Sequence, residues 1–337
     1  MPSGLRDKAP MIGCGTNTFA DPDDYRLNLP GLDVRLVMTG RDTFRSDVTW
    51  LRTDRLWLVR VVENAPRVAF VAPAPASVYV SFPLHSDPQP VWNGVRLSRG
   101  EIVLHGRGEP FHQLTFGTTR WGLIALAPEH LRACGQTLIG DDLTPPRAAK
   151  FLRPSSTVAG DLLRLHTQAC DRVRSRPDLM ARREIARSLE HDLIHALVSV
   201  LALGESRNSA ATRQRHAAIM VRLERVLALQ ASRQLSTAEL CSAVGAPERT
   251  LRMCCTEFVG SSPVHYARLR RLNLVRSALM RSDPATASIA AIARSHGFSE
   301  PGRFAAAYRT LFGEAPSITL RRSKAGGPPR CNFADSA

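Results

Sequence analysis

The last third of this 337-residue chain carries one punctuated pattern twice, and that repeat restricts the fold more than any other feature. The sharper copy runs from Ala287 to Pro316, ASIAAIARSHGFSEPGRFAAAYRTLFGEAP. Ile289, Ile292 and Ala293 share a helical face, because residues three and four apart are helix neighbours. Gly297 stops that helix, since glycine enters the left-handed conformation at little cost. Ser299 is placed to cap a second helix whose apolar face is Phe304, Ala307, Tyr308 and Leu311, and Gly313 and Pro316 end it. Upstream, Ser236 to Pro263 reads STAELCSAVGAPERTLRMCCTEFVGSSP. There Leu240 and Val244 face inward, Gly245 turns, Leu251 and Phe258 anchor the second helix, and Gly260 and Pro263 close it. Gly245 and Gly297, Gly260 and Gly313, and Pro263 and Pro316 are separated by 52 or 53 residues, so the chain holds an internal repeat. Two short helices around a glycine turn form a helix-turn-helix, with the second helix free to enter a major groove.

Charge is concentrated on the same region. The chain has a formal net charge of +15, and Arg213 to Arg322 holds 17 arginines, no lysine and 7 acidic residues, a net +10. Arginine suits bidentate contacts to phosphate and guanine better than lysine does. The seven cysteines are odd in number and lack CxxC or Cys/His ligand spacing, which argues against a disulfide framework or structural zinc. The N-terminus MPSGLRDKAP has no apolar core, and the longest nearly apolar run, Ala196 to Leu203, is too short to span a bilayer. The expectation is a cytoplasmic protein without membrane contact.

In chain order, residues 1–25 read as a loose arm. Residues 26–142 change to short β-type runs such as LDVRLVM, RLWLVRVV, RVAFVA, SVYVSF, EIVLH and WGLIAL, separated by turn signals such as Asn93-Gly94. That pattern predicts an antiparallel jelly-roll barrel of cupin-like form. A short helix over Glu129 to Cys134 follows, then a Pro-rich linker from Thr144 to Ser156. Residues 143–204 supply a helical linker or dimerisation segment, in which Ile185, Leu189, Leu193, Leu197 and Leu201 form an apolar stripe. The stripe needs a partner face, either inside the domain or on a second copy. Residues 205–212 read as a hinge, 213–322 as the DNA-binding domain with helix-turn-helix units at 236–258 and 287–311, and 323–337 as a disordered tail. The fold class expected is α+β: a β domain with helical segment, then an all-α domain of two units joined by a long helix.

IARSHGFSEPGRFAAAYRTLFGEAP and RRLNLVRSALM resemble the signature and linking helix of the AraC/XylS family of transcription regulators. The resemblance runs from Leu235 to Arg321, and the N-terminal region is similar in architecture to that family's sensing half. It implies a sequence-specific DNA-binding regulator, an activator that contacts RNA polymerase, gated by a small-molecule effector in the N-terminal barrel. By match to the family pattern, Arg249, Arg252 and Met253 on the first recognition helix, and Arg303 on the second, sit where base-reading side chains sit. Thr237, Thr250, Thr256, Ser299, Gly302 and Ala306 would contact or support the DNA backbone, with helix-start amides near Thr237 and Ser299 holding phosphates. Gly245, Leu251, Phe258, Gly297, Phe298, Phe304, Phe312 and Pro316 form the frame. The chain departs from the family at Cys254-Cys255, at Pro301-Gly302 and at Leu320.

The partners implied are double-stranded DNA, a small-molecule effector and a second copy of the chain; no cofactor is implied. Cys254 and Cys255 fall near the buried face, which favours packing over a methyl-accepting or redox role. His105, Glu109 and His112 lack the HxH-then-Glu spacing of a cupin metal site, so no metal is expected. The alternative is a cupin-type enzyme with a DNA-binding appendage, but no GxSxG, phosphate loop or dinucleotide motif accompanies the strands.

Overall fold

The computed structural model describes residues 12–26, 31–85, 87–206 and 210–323. The tail expected from 323 onward lies, beyond Ser323, outside them. The strands are β1 (Gly13–Phe19), β2 (Leu32–Met38), β3 (Ser46–Arg52), β4 (Leu56–Glu63), β5 (Arg67–Pro73), β6 (Val78–Pro83), β7 (Val91–Trp92), β8 (Val95–Arg96), β9 (Ile102–Leu104), β10 (Phe111–Thr115), β11 (Thr119–Leu126), β12 (Lys150–Arg153) and β13 (Glu205–Ser206). The helices of the first two-thirds are α1 (Pro22–Arg26), α2 (Pro128–Ile139), α3 (Ser156–Ser175), α4 (Pro177–Met180) and α5 (Arg183–Leu203). Those of the last third are α6 (Ala210–Leu229), α7 (Thr237–Val244), α8 (Glu248–Val259), α9 (Pro263–Arg281), α10 (Ile289–Ser295), α11 (Pro301–Phe312) and α12 (Pro316–Arg321).

The strands form two antiparallel sheets. One has eight strands in the order β1-β3-β4-β11-β6-β9-β12-β13, and the other five in the order β2-β5-β10-β7-β8. No ladder joins the two among the described residues, so the strand-rich region is a pair of packed sheets and not a hydrogen-bonded closed barrel. Several sequence expectations change here. Residues 13–26 are not a loose arm: β1 pairs with β3 along its whole length and α1 follows. The linker from Thr144 to Ser156 contains β12, which adds to β9, and Glu205 and Ser206 of the expected hinge pair with β12. Residues 207–209 of that hinge lie outside the described residues.

Four layers stack on one another. Between the sheets lies a core of Val59, Val61, Val71, Phe111, Trp121 and Leu123, into which Tyr25 of α1 is packed. The outer face of the eight-stranded sheet, including Leu58, Val80, Phe82 and Ile124, packs against Leu162, Leu189, Leu193 and Leu197 of α3 and α5. The stripe read as a possible contact with a second copy is therefore used inside the domain. Polar contacts fix the same seam: Glu190 accepts from Thr53 Oγ1 at 2.5 Å and from Arg55 Nε at 2.7 Å, and His166 Nε2 lies 3.0 Å from the Val59 carbonyl.

The outer face of the five-stranded sheet is also apolar, and the C-terminal helices cover it. Val37, Val68, Val91 and Leu114 share one core with Ile219, Leu223, Phe258, Tyr266 and Leu269. This explains why RVAFVA shows no alternation, because a strand covered on both faces reads as a continuous apolar run. Polar contacts pin the helices in place. Asn273 on α9 accepts from the Met38 amide at 2.9 Å and donates to the Met38 carbonyl at 3.2 Å. Arg276 pairs with Asp21 at 3.4 Å, and Arg41 Nε donates to the Thr310 carbonyl at 2.8 Å. At the centre Glu224 of α6 accepts from Tyr266 at 2.6 Å, pairs with Arg270, and meets His112 Nε2 of β10 at 3.1 Å.

Among the described residues, no helix is long and apolar enough to cross a membrane. Because Leu193 is fully buried, Leu193→Ala is expected to lower stability by about 2–5 kcal/mol in thermal denaturation. The mass measured by light scattering should not change; a fall in oligomer mass without loss of stability would return the stripe to an intermolecular contact.

Candidate nucleic-acid interface

The two C-terminal units are built by the same local chemistry. In the first, Ser236 and Glu239 form a reciprocal capping box at the start of α7. The helix ends with Gly245 at φ +68° and Ala246 N donating to the Cys241 carbonyl at 3.1 Å, the paired bonds of a Schellman turn. In the second, Ser288 caps α10, Gly297 lies at φ +78°, and Phe298 N donates to the Ala293 carbonyl at 3.0 Å. Gly260 and Gly313, at φ +69° and +74°, end α8 and α11. Ser299 does not cap α11: the helix starts at Pro301 and its N-cap is Glu300.

Helix α9 is the axle between the units. It buries Tyr266, Leu269, Leu272, Val275 and Leu279. Its Arg271 donates to the Gly297 carbonyl at 3.0 Å and lies 4.9 Å over the Phe298 ring, locking the second turn to the linker. From there the rings of Phe298, Phe304, Tyr308 and Phe312 contact in sequence, with centroids 4.6 to 5.7 Å apart. Tyr308 donates to Thr319 Oγ1 at 2.8 Å, which holds α12.

This frame leaves one face of each second helix in solvent. On α8, Arg249, Arg252, Met253 and Thr256 are exposed together, while Leu251, Cys254, Cys255 and Phe258 are fully buried. On α11, Gly302, Arg303 and Ala306 are exposed, Phe304 is buried, and Phe312 is half-buried against the five-stranded domain. Phe298 is half-buried and Pro316 buried; Thr237 and Thr250 are half-buried and Ser299 is exposed. The N-terminal domain sits on the sheet-facing side of α8 and leaves these residues open. Burial pushes the thiols of Cys254 and Cys255 up to about 11 and about 12, so both are neutral packing groups at pH 7.

Two electrostatic details were not read from the sequence. Arg252 Nε donates to Glu248 Oε1 at 2.8 Å, and Arg303 donates to Glu300 Oε1 at 2.9 Å. The spacing i to i+4 and i to i+3 was a sequence signal for both pairs. They also change the phosphate expectation. The start of α7 carries the Glu239 carboxylate, and the start of α11 carries Glu300 followed by proline, which has no N–H to give. Both are poorer anion sites than the helix-dipole argument alone suggests.

The residues weighed as a metal site are not brought together. His105 stacks on Phe111 and contacts Ser81 at 3.0 Å, Glu109 accepts from the Ala149 amide at 2.8 Å, and His112 points to Glu224. Burial holds His105 down to about 3, and burial together with Arg270 does the same to His112. Between the sheets, a residual cavity of about 10 Å³ is lined by Tyr25, Arg67, Trp92, Gln113 and Trp121, room for one water. Arg67, which lines it, is paired with the buried Glu63, and Trp121 Nε1 donates to Glu63 at 3.1 Å. Among the described residues, the Tyr25 hydroxyl and Gln113 Nε2 have no hydrogen-bond partner.

Comparison with known proteins bears on the C-terminal region. A helix-turn-helix domain family matches residues 240–322. The chain is similar to a probable thc operon regulatory protein of Rhodococcus erythropolis, 34% identical over 95 residues, which are 28% of this chain and 29% of that protein. It is similar to the XylDLEGF operon transcriptional activator 3 of Pseudomonas putida, 40% identical over 76 residues, which are 23% of each. The chain thus spans less than a third of the length of these curated relatives. A crystal structure of the AraC-like transcriptional activator CuxR aligns with 77% of this chain and 94% of that one, at 16% identity and a TM-score of 0.40.

The turn glycines separate conformational strain from collision. An added methyl at Gly245 meets nothing within 4 Å, whereas at Gly297 it lies 2.6 Å from the Ser232 carbonyl. Gly245→Ala should cost about 1–2 kcal/mol from the left-handed backbone alone, and Gly297→Ala distinctly more. Equal shifts of the melting temperature would contradict this.

Proposed function

We propose that residues 240–322, which match a helix-turn-helix domain family, are an AraC/XylS-type DNA-binding domain and that this protein is a sequence-specific DNA-binding transcription regulator. The observation that carries the reading is the paired architecture: two glycine-turn units on one rigid axle, each presenting an exposed arginine-bearing helix face. Helices α8 and α11 enter successive major grooves on one side of the duplex, about 10 bp apart. On α8, Arg249 and Arg252 donate to guanine O6 and N7, and Met253 meets a thymine methyl. On the exposed start of α11, Arg303 and its ion-pair partner Glu300 are the long polar side chains that can reach a base, so the second unit chiefly positions, with one narrow point of choice, and the first chiefly specifies. Thr237, Thr250, Thr256, Ser299, Gly302 and Ala306 flank these side chains on the DNA-backbone side.

The N-terminal jelly-roll domain acts as the sensor, and the protein works in the cytoplasm as an activator in contact with RNA polymerase, as a homodimer. Its effector binds between the sheets. Room there is limited, so entry displaces Tyr25, and Asp21 on the same short segment is tied to Arg276 of the axle. An effector that prefers the displaced state thereby shifts the population of docked C-terminal domain.

Two measurements follow. Arg252→Ala is expected to relax preference at one base pair by about 1–3 kcal/mol, whereas Arg303→Ala weakens binding more evenly across sequences, with a smaller loss of preference. A footprint unchanged in strength and sequence by Arg252→Ala would sink the assignment.

Docking depends on pH with a definite sign. His112 titrates about 3 when docked and near 6.5 when exposed, so the released state binds more protons between those values. Glu224 does not reverse this, because its charge is already met by Arg270 and Tyr266. Amide protection of β10 should therefore fall as pH drops below about 6.5 and fall less in His112→Gln. Equal pH dependence in the two proteins would contradict the placement.

A further inference from the structure

The region from Arg213 to Arg322 carries a net +10, enough to hold any duplex through its phosphates. Attraction of that kind gives affinity without choice. Yet both reading faces carry a carboxylate that points the other way. Glu248 is the first residue of α8 and Glu300 the N-cap of α11. Each lies three residues after its turn glycine, Gly245 and Gly297. Each grips the reading arginine one turn on: Arg252 through Nε at 2.8 Å and a terminal nitrogen at 2.7 Å, and Arg303 through one nitrogen at 2.9 Å. Both glutamates are more than half exposed, at 54% and 58%. Neither caps its own helix through a side-chain hydrogen bond. Both Arg252 contacts fall on Oε1, and no hydrogen bond to Glu248 Oε2 is present among the described residues.

A carboxylate held on a DNA-facing surface is repelled by the backbone. It is accepted only where the groove offers a donor, and the cytosine N4 amino group is the donor that suits Glu. We propose that Glu248 and Glu300 are specificity-determining residues. Each accepts from a cytosine amino group, orients its arginine toward a neighbouring guanine, and penalises duplexes that present no donor there. Selectivity then comes as much from rejection of wrong sequences as from attraction to the right one. Recurrence of a glutamate–arginine pair at the start of both second helices, four residues apart in one and three in the other, sets it apart from a chance surface ion pair, which contributes little by itself. The inference rests on the DNA-reading function proposed above.

The test uses the full-length protein. A binding site is selected from a random duplex library with the wild type. Affinities for that site and for an unrelated duplex are then measured at one fixed salt concentration, for wild type, Glu248→Ala, Glu248→Gln and Glu300→Ala. The expected result is tighter binding of the unrelated duplex by Glu248→Ala, with the ratio between the two duplexes falling about ten-fold. Repeating the selection with that variant should lose a cytosine preference at one position. Glu248→Gln keeps an acceptor oxygen and removes the charge, so it should recover part of the cytosine preference while still binding the unrelated duplex more tightly. Should the alanine variant misfold, the glutamine variant carries the test by the same two readouts. A role confined to helix stability would lower the melting temperature and leave the ratio and the selected sequence unchanged; that result overturns the proposal and leaves the reading of DNA standing. A wild type with no sequence preference overturns both.

Discussion

The apolar outer face of the five-stranded sheet is the constraint on which the rest of the molecule depends. Strand β5 is apolar on both sides beyond Arg67 and β10 is buried along its whole length, so the sheet cannot stand with one face in water. Val37, Val68, Val91 and Leu114 are 0–6% exposed because α6, α8 and α9 lie on them. Each such side chain is worth about 1.5–3 kcal/mol of burial. The C-terminal domain is thus part of the core of the N-terminal one. Any release of the C-terminal domain has to offset that burial.

The polar contacts at this seam add direction to a nonspecific attraction. Asn273 bonds both backbone groups of Met38, fixing α9 against β2. Glu224 gathers Tyr266, Arg270 and His112, three partners from two domains, so its buried charge is met on several sides. Removing any one partner leaves the others less satisfied, a costlier loss than that of a surface pair. The same axle that holds the domains together also carries Arg271 to the second turn, so docking and the spacing of α8 and α11 share one helix.

Much of the C-terminal architecture was legible in the sequence because its signals are local. A left-handed turn calls for glycine, and an apolar period of three and four marks a helix face; Gly245, Gly297, Leu251 and Phe304 sit where those rules put them. Helix starts were less legible. Ser299 looks like a cap, but proline at 301 fixes the first helical residue and leaves Glu300 in the capping position. In the N-terminal half the strands were readable from alternation, but their pairing was not. The strand β1 was read as an arm because GCGTNTF has little apolar content; at an edge, with β3 to pair with, backbone bonds supply what side chains lack. The docking of the two halves was hidden for a related reason. The continuous run RVAFVA says that both faces are covered and does not say by what, and contacts such as Asn273 with Met38, 235 residues apart, leave no local trace.

The central claim is that this chain reads DNA sequence through two helices on one axle. Selection of full-length protein on a random duplex library, at near-physiological salt, tests it most directly. The account predicts enrichment of one site with two elements about 10 bp apart, the more selective element lying under α8 and containing guanine. Recovery of unselected sequence, or of a single element with no partner at that spacing, would contradict it.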